Sequence, residues 1–235
     1  MGTITGQQVI DRAWIKGQDL NGGTGVRWPA AEALLWLNDG QREIVNLLPS
    51  SNTVSAFATV TAGTRQTLAG LGLPSGITFV DIPRNVSIAG VPGRAMTLRK
   101  REWLDEQRPN WHSEVASEAV HWMLDPRDPK TIYLYPAIAL AAGKLEIVYV
   151  ATPADLPTLA SPISLDDINA NALQWFVLFS FYSKDATFSG QPGKAPGYYQ
   201  QFQQSLGIKA NATQQNAATA GVNSGIGQNI PGKPA

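Results

Sequence analysis

The chain has 235 residues, 43% of them hydrophobic and 15% charged, which is ample for one sizeable core or two smaller ones. Eighteen basic and eighteen acidic residues cancel, which argues against a role driven by gross attraction to nucleic acid or an anionic membrane while leaving a local patch open. The absence of cysteine removes disulfides and thiolate chemistry and fits an intracellular origin.

The N-terminal stretch MGTITGQQVIDRAW has neither the basic start nor the apolar run of a signal peptide. The most apolar stretch, 172–182, falls far short of the roughly 20 residues a membrane span needs. The expectation is a soluble, non-secreted chain. Val9, Ile10, Ala13 and Trp14 stand at helical spacing within 5–17, and Gly17 with NGGTG at 21–25 marks a stop and a loop. Pro29 suits a first helical position. From there to Pro49, the residues Leu34, Leu37, Gln41, Ile44, Val45 and Leu48 fall on one stripe about 100° wide. Trp36, Gly40 and Leu47 make a second patch on another side of this helix, available to a neighbour in the fold or in an adjoining subunit.

From about 53 to 150 the apolar period becomes two. Val54, Ala56, Ala58 and Val60 alternate with their neighbours, and ITFVDI at 77–82 and NVSIAG at 85–90 read as strands separated by Pro83. GRAMTLRKREWLDEQRP at 93–109 reads as a strand running into a short helix. AVHWML at 119–124 and TIYLYP at 131–136 flank the proline-rich turn DPRDPK, and KLEIVYV at 144–150 supplies another strand. Such regular turns predict a small sandwich or barrel rather than a βαβ fold.

Helix returns at Ser164, whose hydroxyl suits a cap, with Asp166 and Asp167 at the positive end of the dipole and Asp167 placed as a capping-box acid. This helix is apolar nearly all round between Ala172 and Tyr182 and belongs at the centre of a bundle. After SGQPG, the residues Tyr198, Phe202 and Leu206 recur every four, with Gly207 as a C-cap. The fold class is therefore α+β. A helical bundle is expected from 1–50 and 160–207, a β-rich insert from 51–159 and an extended arm from 208–235.

Residues 209–235 contain no acid and no aromatic, only Lys209 and Lys233 being charged. They hold too little apolar surface to offset the about 1–2 kcal/mol per residue that ordering costs. Val222, Ile226 and Ile230 are spaced by four, so they share one side of an extended chain; Gly221, Gly225 and Gly227 make a helix costly there. Fully stretched, such a segment reaches about 90 Å, enough to lie along a partner's surface with those three side chains setting register.

No set of residues reads as a catalytic, cofactor or metal site. GQNIPGKP at 227–234 matches the spacing of a phosphate loop, but Pro234 stands where Ser or Thr would hold magnesium and no helix follows. His112 and His121 lie in no metal or nucleophile motif and read as structural. Asp125 and Asp128 have the look of paired glycosidase carboxylates, yet the proline beside each favours a rigid turn. Arg99, Lys100 and Arg101 before Trp103 could contact phosphate, weakly, because Glu102, Asp105 and Glu106 dilute them. The aromatic run WFVLFSFYS at 175–183 reads as core packing.

Several segments together resemble the head–tail adaptor proteins of tailed bacteriophages, also called neck, connector or head-completion proteins. They are VIDRA at 9–13, VRWPAAEALLWLNDGQREIV at 26–45, GRAMTLRKREWLDEQRPNWH at 93–112, DPRDPKTIYLYP at 125–136, LEIVYVATPADLP at 145–157 and YYQQFQQSLG at 198–207. One departure is at Trp28-Pro29, where relatives often open the helix with Thr or Ser. The resemblance implies a helical bundle with a β-rich insertion, assembled in the host cytoplasm as a ring of twelve copies in the virion neck. It implies the portal protein and a tail or nozzle protein as partners, passive contact with packaged double-stranded DNA, no membrane, no cofactor and no catalysis. An arm of this kind would reach the portal or an adjacent copy. Two other classes stand beside this reading: a peptidoglycan-degrading virion enzyme using Asp125 and Asp128, and a carbohydrate-binding tail module presenting Trp103, Trp111 and Trp122.

Overall fold

The structure, a computed structural model, describes residues 2–18, 27–139, 143–185 and 193–216. Two compact units divide the chain, one drawn from the segments up to Leu48 and from Asp155 onward, the other spanning Pro49–Ala154. Helix α1 (Gly6–Gly17) starts at a reciprocal cap: the Gln8 N–H donates to Thr5 Oγ1 at 3.3 Å and the Thr5 N–H donates to Gln8 Oε1 at 3.0 Å. It buries the expected stripe of Val9, Ile10, Ala13 and Trp14 and stops at Gln18, which takes a left-handed conformation. Helix α2 (Ala30–Leu47) follows Pro29, which occupies the cap position rather than the first helical one and makes no side-chain cap bond.

The strand-rich unit comprises β1 (Thr53–Thr59), β2 (Arg65–Thr67), β3 (Gly76–Val86), β4 (Pro92–Ala95), β5 (Thr97–Leu98), α3 (Arg101–Gln107), β6 (Val115–Ala116), β7 (His121–Asp125), β8 (Asp128–Tyr135), β9 (Ala137–Ile138) and β10 (Lys144–Ala151). Two four-stranded sheets form, in the orders β1-β10-β3-β4 and β2-β8-β7-β5, with β6 and β9 paired separately. Phe79, Ile82, Leu145 and Ile147 of the first sheet share a core with Trp122, Ile132 and Leu134 of the second. This is a sandwich arrangement; no closed barrel forms among the described residues. Pro83 does not separate two strands as expected. β3 runs straight through it, because Ile82 and Pro83 together oppose Ile147 of β10 in a bulge, where a residue without an N–H is tolerated.

The chain then returns to the helical unit along 155–165. Two buried carboxamides of α2 hold it: the Leu156 N–H donates to Asn38 Oδ1 at 2.9 Å, and the Ser164 N–H donates to Gln41 Oε1 at 2.7 Å. No helix begins at Ser164. Asp166 instead accepts from the Ile168 N–H and caps a 3-10 turn, Asp167–Asn169, that leads into α4 (Ala170–Asp185). Asp167 is not a capping-box acid either. Its carboxylate faces the N-terminal segment and accepts from the Thr3 N–H, the Thr3 hydroxyl and the Ile4 N–H at 2.7, 2.7 and 2.9 Å. Three donors of the N-terminal segment outcompete one helical N–H.

Helix α4 packs against α1, α2 and α5 (Lys194–Asn216). Leu173, Val177, Leu178 and Phe181 are fully buried, while Trp175, Phe176 and Phe179 interleave with Tyr198, Phe202 and Tyr199 of α5 at centroid distances of 6.0, 5.3 and 5.0 Å. The aromatic run is thus a packing seam. Gly207 does not end α5, which continues to Asn216, so an extended arm does not begin at 208. One glycine costs a helix only about 1 kcal/mol, and the Ala and Gln residues that follow favour continuation. Val222, Ile226, Ile230 and the GQNIPGKP stretch lie outside the described residues.

Gly40 lies at a close approach of α2 to α4: an added Cβ would stand 2.9 Å from Phe176 Cδ1 and 3.3 Å from Leu173 Cδ2. Gly40→Leu is expected to lose about 1–3 kcal/mol of stability through overpacking, read as a lower urea midpoint. A midpoint at or above wild type would show that the helices are not in contact there. The Ile4 N–H first, then the Thr3 hydroxyl, holds Asp167 below the ordinary aspartate value of 3.8. A depressed carboxylate contributes stability that is present above that value and lost as pH falls through the lowered one. Acid titration of Asp167→Asn against wild type should therefore show the variant's deficit shrinking below about pH 4. A deficit independent of pH would place the effect elsewhere.

Candidate functional site

The sequence singled out several polar residues, and the fold gives both histidines and both aspartates hydrogen-bond partners. His112 stacks on Trp111 at 3.7 Å and shares a hydrogen bond with Thr64 Oγ1 at 2.8 Å. His121 shares one with Thr97 Oγ1 at 2.6 Å. Burial first, then the cations of Arg99 and Arg94, hold His121 below its ordinary value. The two histidines bond to different threonines, and neither belongs to a metal-binding cluster among the described residues. Among the described residues no group of three His, Asp or Glu could hold a metal ion, and no helix is long and apolar enough to cross a membrane.

Asp125 and Asp128 face each other across the β7–β8 hairpin, whose two-residue loop is Pro126-Arg127. Asp125 Oδ1 accepts from the Arg127 N–H at 3.0 Å, and Asp128 accepts from the Lys130 N–H at 3.0 Å and the Thr131 hydroxyl at 2.6 Å. The Thr131 hydroxyl, then the Lys130 N–H, pulls Asp128 below the ordinary carboxylate range. A general acid needs its pKa raised, so Asp128 is tuned the wrong way for that role. Both carboxylates act as turn anchors.

Of the three tryptophans considered for sugar stacking, Trp111 and Trp122 are buried and Trp103 alone is exposed. Trp111 donates its indole N–H to Asp105 Oδ1 at 2.8 Å and packs with Leu104 and Met123. It is the peg that seats α3 on β7.

Arg99, Lys100 and Arg101 lie at the β5–α3 junction and line a cleft of ≈ 730 Å³ with Leu98, Leu124 and Arg127. Arg101 is fixed in place: its Nε donates to Asp105 Oδ2 at 3.3 Å and its guanidinium lies 5.5 Å from the Tyr133 ring. The Arg99 guanidinium lies 5.7 Å from the Trp103 ring. Glu102 and Asp125 also line the cleft, giving four basic groups against two acidic ones. Arg127 completes the cluster from the hairpin loop. Sequence reasoning read it only as part of a turn, and the signal that could have found it is the β7–β5 pairing that returns the hairpin to the 98–101 segment.

In the helical unit, Trp36 sits edge-on to Phe181 at 5.4 Å and Gly40 is buried on α4, so both make contacts within the subunit. Leu47 is exposed, as are Ile15 and Leu35. In the strand-rich unit Phe57, Ile88, Val91 and Val115 are each about 60% exposed.

A family model described as SU10 adaptor protein matches residues 4–225. No curated protein matches the chain.

The Asp125→Asn, Asp128→Asn double variant tests the turn assignment against carboxylate catalysis. Faster hydrogen exchange at the Arg127 and Lys130 amides is expected, with no change in a peptidoglycan-release assay, wild type and variant being equally inactive. Wild-type release that the double variant abolishes would restore the enzyme reading.

Proposed function

The chain belongs to the SU10 adaptor family, a bacteriophage structural adaptor family, and on that premise we propose that it forms a ring of twelve copies between the portal and the tail in the virion neck. The family match across residues 4–225 carries this reading. The ring extends the DNA channel, takes the portal on one side and offers the other to a tail or nozzle protein.

A cyclic ring needs two different faces on each subunit, because a head-to-tail contact joins unlike surfaces. Exposed apolar side chains on both units supply material for this: Leu35 and Leu47 in the helical unit, Phe57 and Val91 in the strand-rich one. Of the α2 residues proposed for partner contact, Leu47 is the one whose exposure supports the role, while Trp36 and Gly40 contribute by fixing α2 on α4. Val222, Ile226 and Ile230 remain candidates, by their spacing, for contact with the portal or an adjacent copy. Zero net charge suits a conduit, since each neutralised phosphate adds salt-sensitive affinity that would resist DNA passage.

Adding the purified chain to portal-bearing capsids that lack it should produce a ring of twelve copies at the portal vertex, visible by electron cryomicroscopy. A chain that leaves such capsids undecorated is not an adaptor of this kind. Tight binding to duplex DNA at physiological salt would separately remove the passive-conduit part of the reading.

A further inference from the structure

Strand β5 is two residues long and stands at the edge of its sheet. Its parallel pairing with β7 ends at Leu98↔Trp122, after which the Arg99 N–H donates to the Trp122 carbonyl at 3.0 Å and the chain turns into α3. β7 continues for three more residues, to Asp125. Main-chain groups alternate in direction along a strand, so Leu124 turns its N–H and carbonyl to the same side as Trp122, toward the edge β5 has left. The cleft of ≈ 730 Å³ opens at this place.

The side chains around it have a definite chemistry. Leu98 stands opposite Trp122 in the register and Leu124 lies two residues further on, so both leucines share the side of the sheet on which the Trp122 ring enters the sandwich core. They carry that apolar surface outward and are 55% and 37% exposed. Around them stand Arg99, Lys100, Arg101 and Arg127. Of the two acids present, Asp125 already accepts from the Arg127 N–H and the Tyr133 hydroxyl.

We propose that this cleft is a docking site for an extended, acidic segment of a neighbouring virion protein, which adds alongside β7, lays apolar side chains on Leu98 and Leu124, and sets carboxylates against Arg99, Lys100 and Arg127, Arg101 being already paired with Asp105. Main-chain pairing would supply affinity and the alternation of acid and apolar residues would supply register. The chain's own C-terminal segment does not fit: residues 209–235 hold no acid, and their charged residues are Lys209 and Lys233. A nucleic-acid backbone fits less well, since it would leave the two exposed leucines without an apolar partner. The proposal rests on the adaptor reading for the source of the segment and not for its chemistry.

The test uses the full chain and a labelled octapeptide alternating Asp with Val, followed by fluorescence anisotropy. Saturable binding is expected that weakens with salt, falls on the order of tenfold in Arg127→Glu and in Arg99→Glu, and falls again in Leu124→Asp. The same peptide with Lys in place of Asp should not bind. Circular dichroism establishes that each variant is folded, and Lys100→Glu provides a second charge reversal if one fails. Absence of binding by the acidic peptide overturns the proposal. Equal binding of a short duplex DNA that the same reversals abolish, with Leu124→Asp neutral, also overturns it and assigns the cleft to phosphate. Ring formation on capsids is scored separately, so an intact ring with no peptide binding sinks this inference alone, whereas an absent ring with peptide binding intact sinks the adaptor reading alone.

Discussion

Closure of the helical unit depends on two carboxamides one turn apart on α2. Asn38 and Gln41 accept the main-chain N–H groups of Leu156 and Ser164, 118 and 123 residues further along the chain. Apolar stripes bring helices together but tolerate sliding, whereas a buried N–H left without its acceptor costs about 1–3 kcal/mol. These two bonds therefore fix where the returning segment lies. Its neighbours extend the clasp: the Gly6 N–H donates to the Ser161 carbonyl at 3.0 Å and the Ile163 N–H to the Ile4 carbonyl at 2.9 Å. Thr5 pairs with Pro162, and Asp167 ends the series on Thr3 and Ile4.

Long-range closure of this kind is affordable because the intervening residues fold on themselves. β1 and β10 are adjacent and antiparallel, with Thr53 opposite Val150, so the chain enters and leaves the strand-rich unit side by side. Asn52 adds a bond from its side chain to the Ala151 carbonyl at 2.7 Å. The loop that the bundle must close is then short in effect. Even for an unstructured loop, each doubling of length would cost only about 0.6 kcal/mol.

What was legible in the sequence is what depends on a local pattern. The all-round apolarity of 172–182 placed α4 at the centre, and the prolines beside Asp125 and Asp128 marked the hairpin turn that both carboxylates now anchor. Three of the misreadings share a cause: the residue's partner lies far away in the chain. Gln41 falls within an apolar stripe because its face is buried, yet its side-chain carbonyl accepts from the Ser164 N–H. Asp167 had the right spacing for a cap but found three donors in the N-terminal segment. Pro83 looked like a break because the bulge that accommodates it belongs to the partner strand's register. Thr5 and Gln8, by contrast, carry a local cap signature, Thr followed three residues later by Gln, that is legible without any distant partner. For the cleft, the triplet at 99–101 was visible, but Arg127 and Leu124 join it only through the pairing of β5 with β7.

The division of labour among polar groups bears on function. His112, Asp105, Asp125, Asp128 and Glu114 each serve an internal contact: a threonine hydroxyl, an indole N–H, turn amides, or the Tyr135 hydroxyl. A reaction centre needs groups held near one another with complementary proton affinities and room for a substrate between them. Among the described residues the acids named above are committed to holding strands and turns, while the cations at 99–101 and Arg127 are turned outward at a sheet edge. An exposed edge is a hazard in a monomer, because it invites pairing with any extended chain. On the docking proposal, cations around Leu98 and Leu124 would restrict that invitation to a segment carrying acids, so the side chains that disfavour this chain's own C-terminal stretch, whose charged residues are lysines, would also select a partner. In a protein whose family role is to join other virion components, a guarded edge makes sense as a surface kept for one of them.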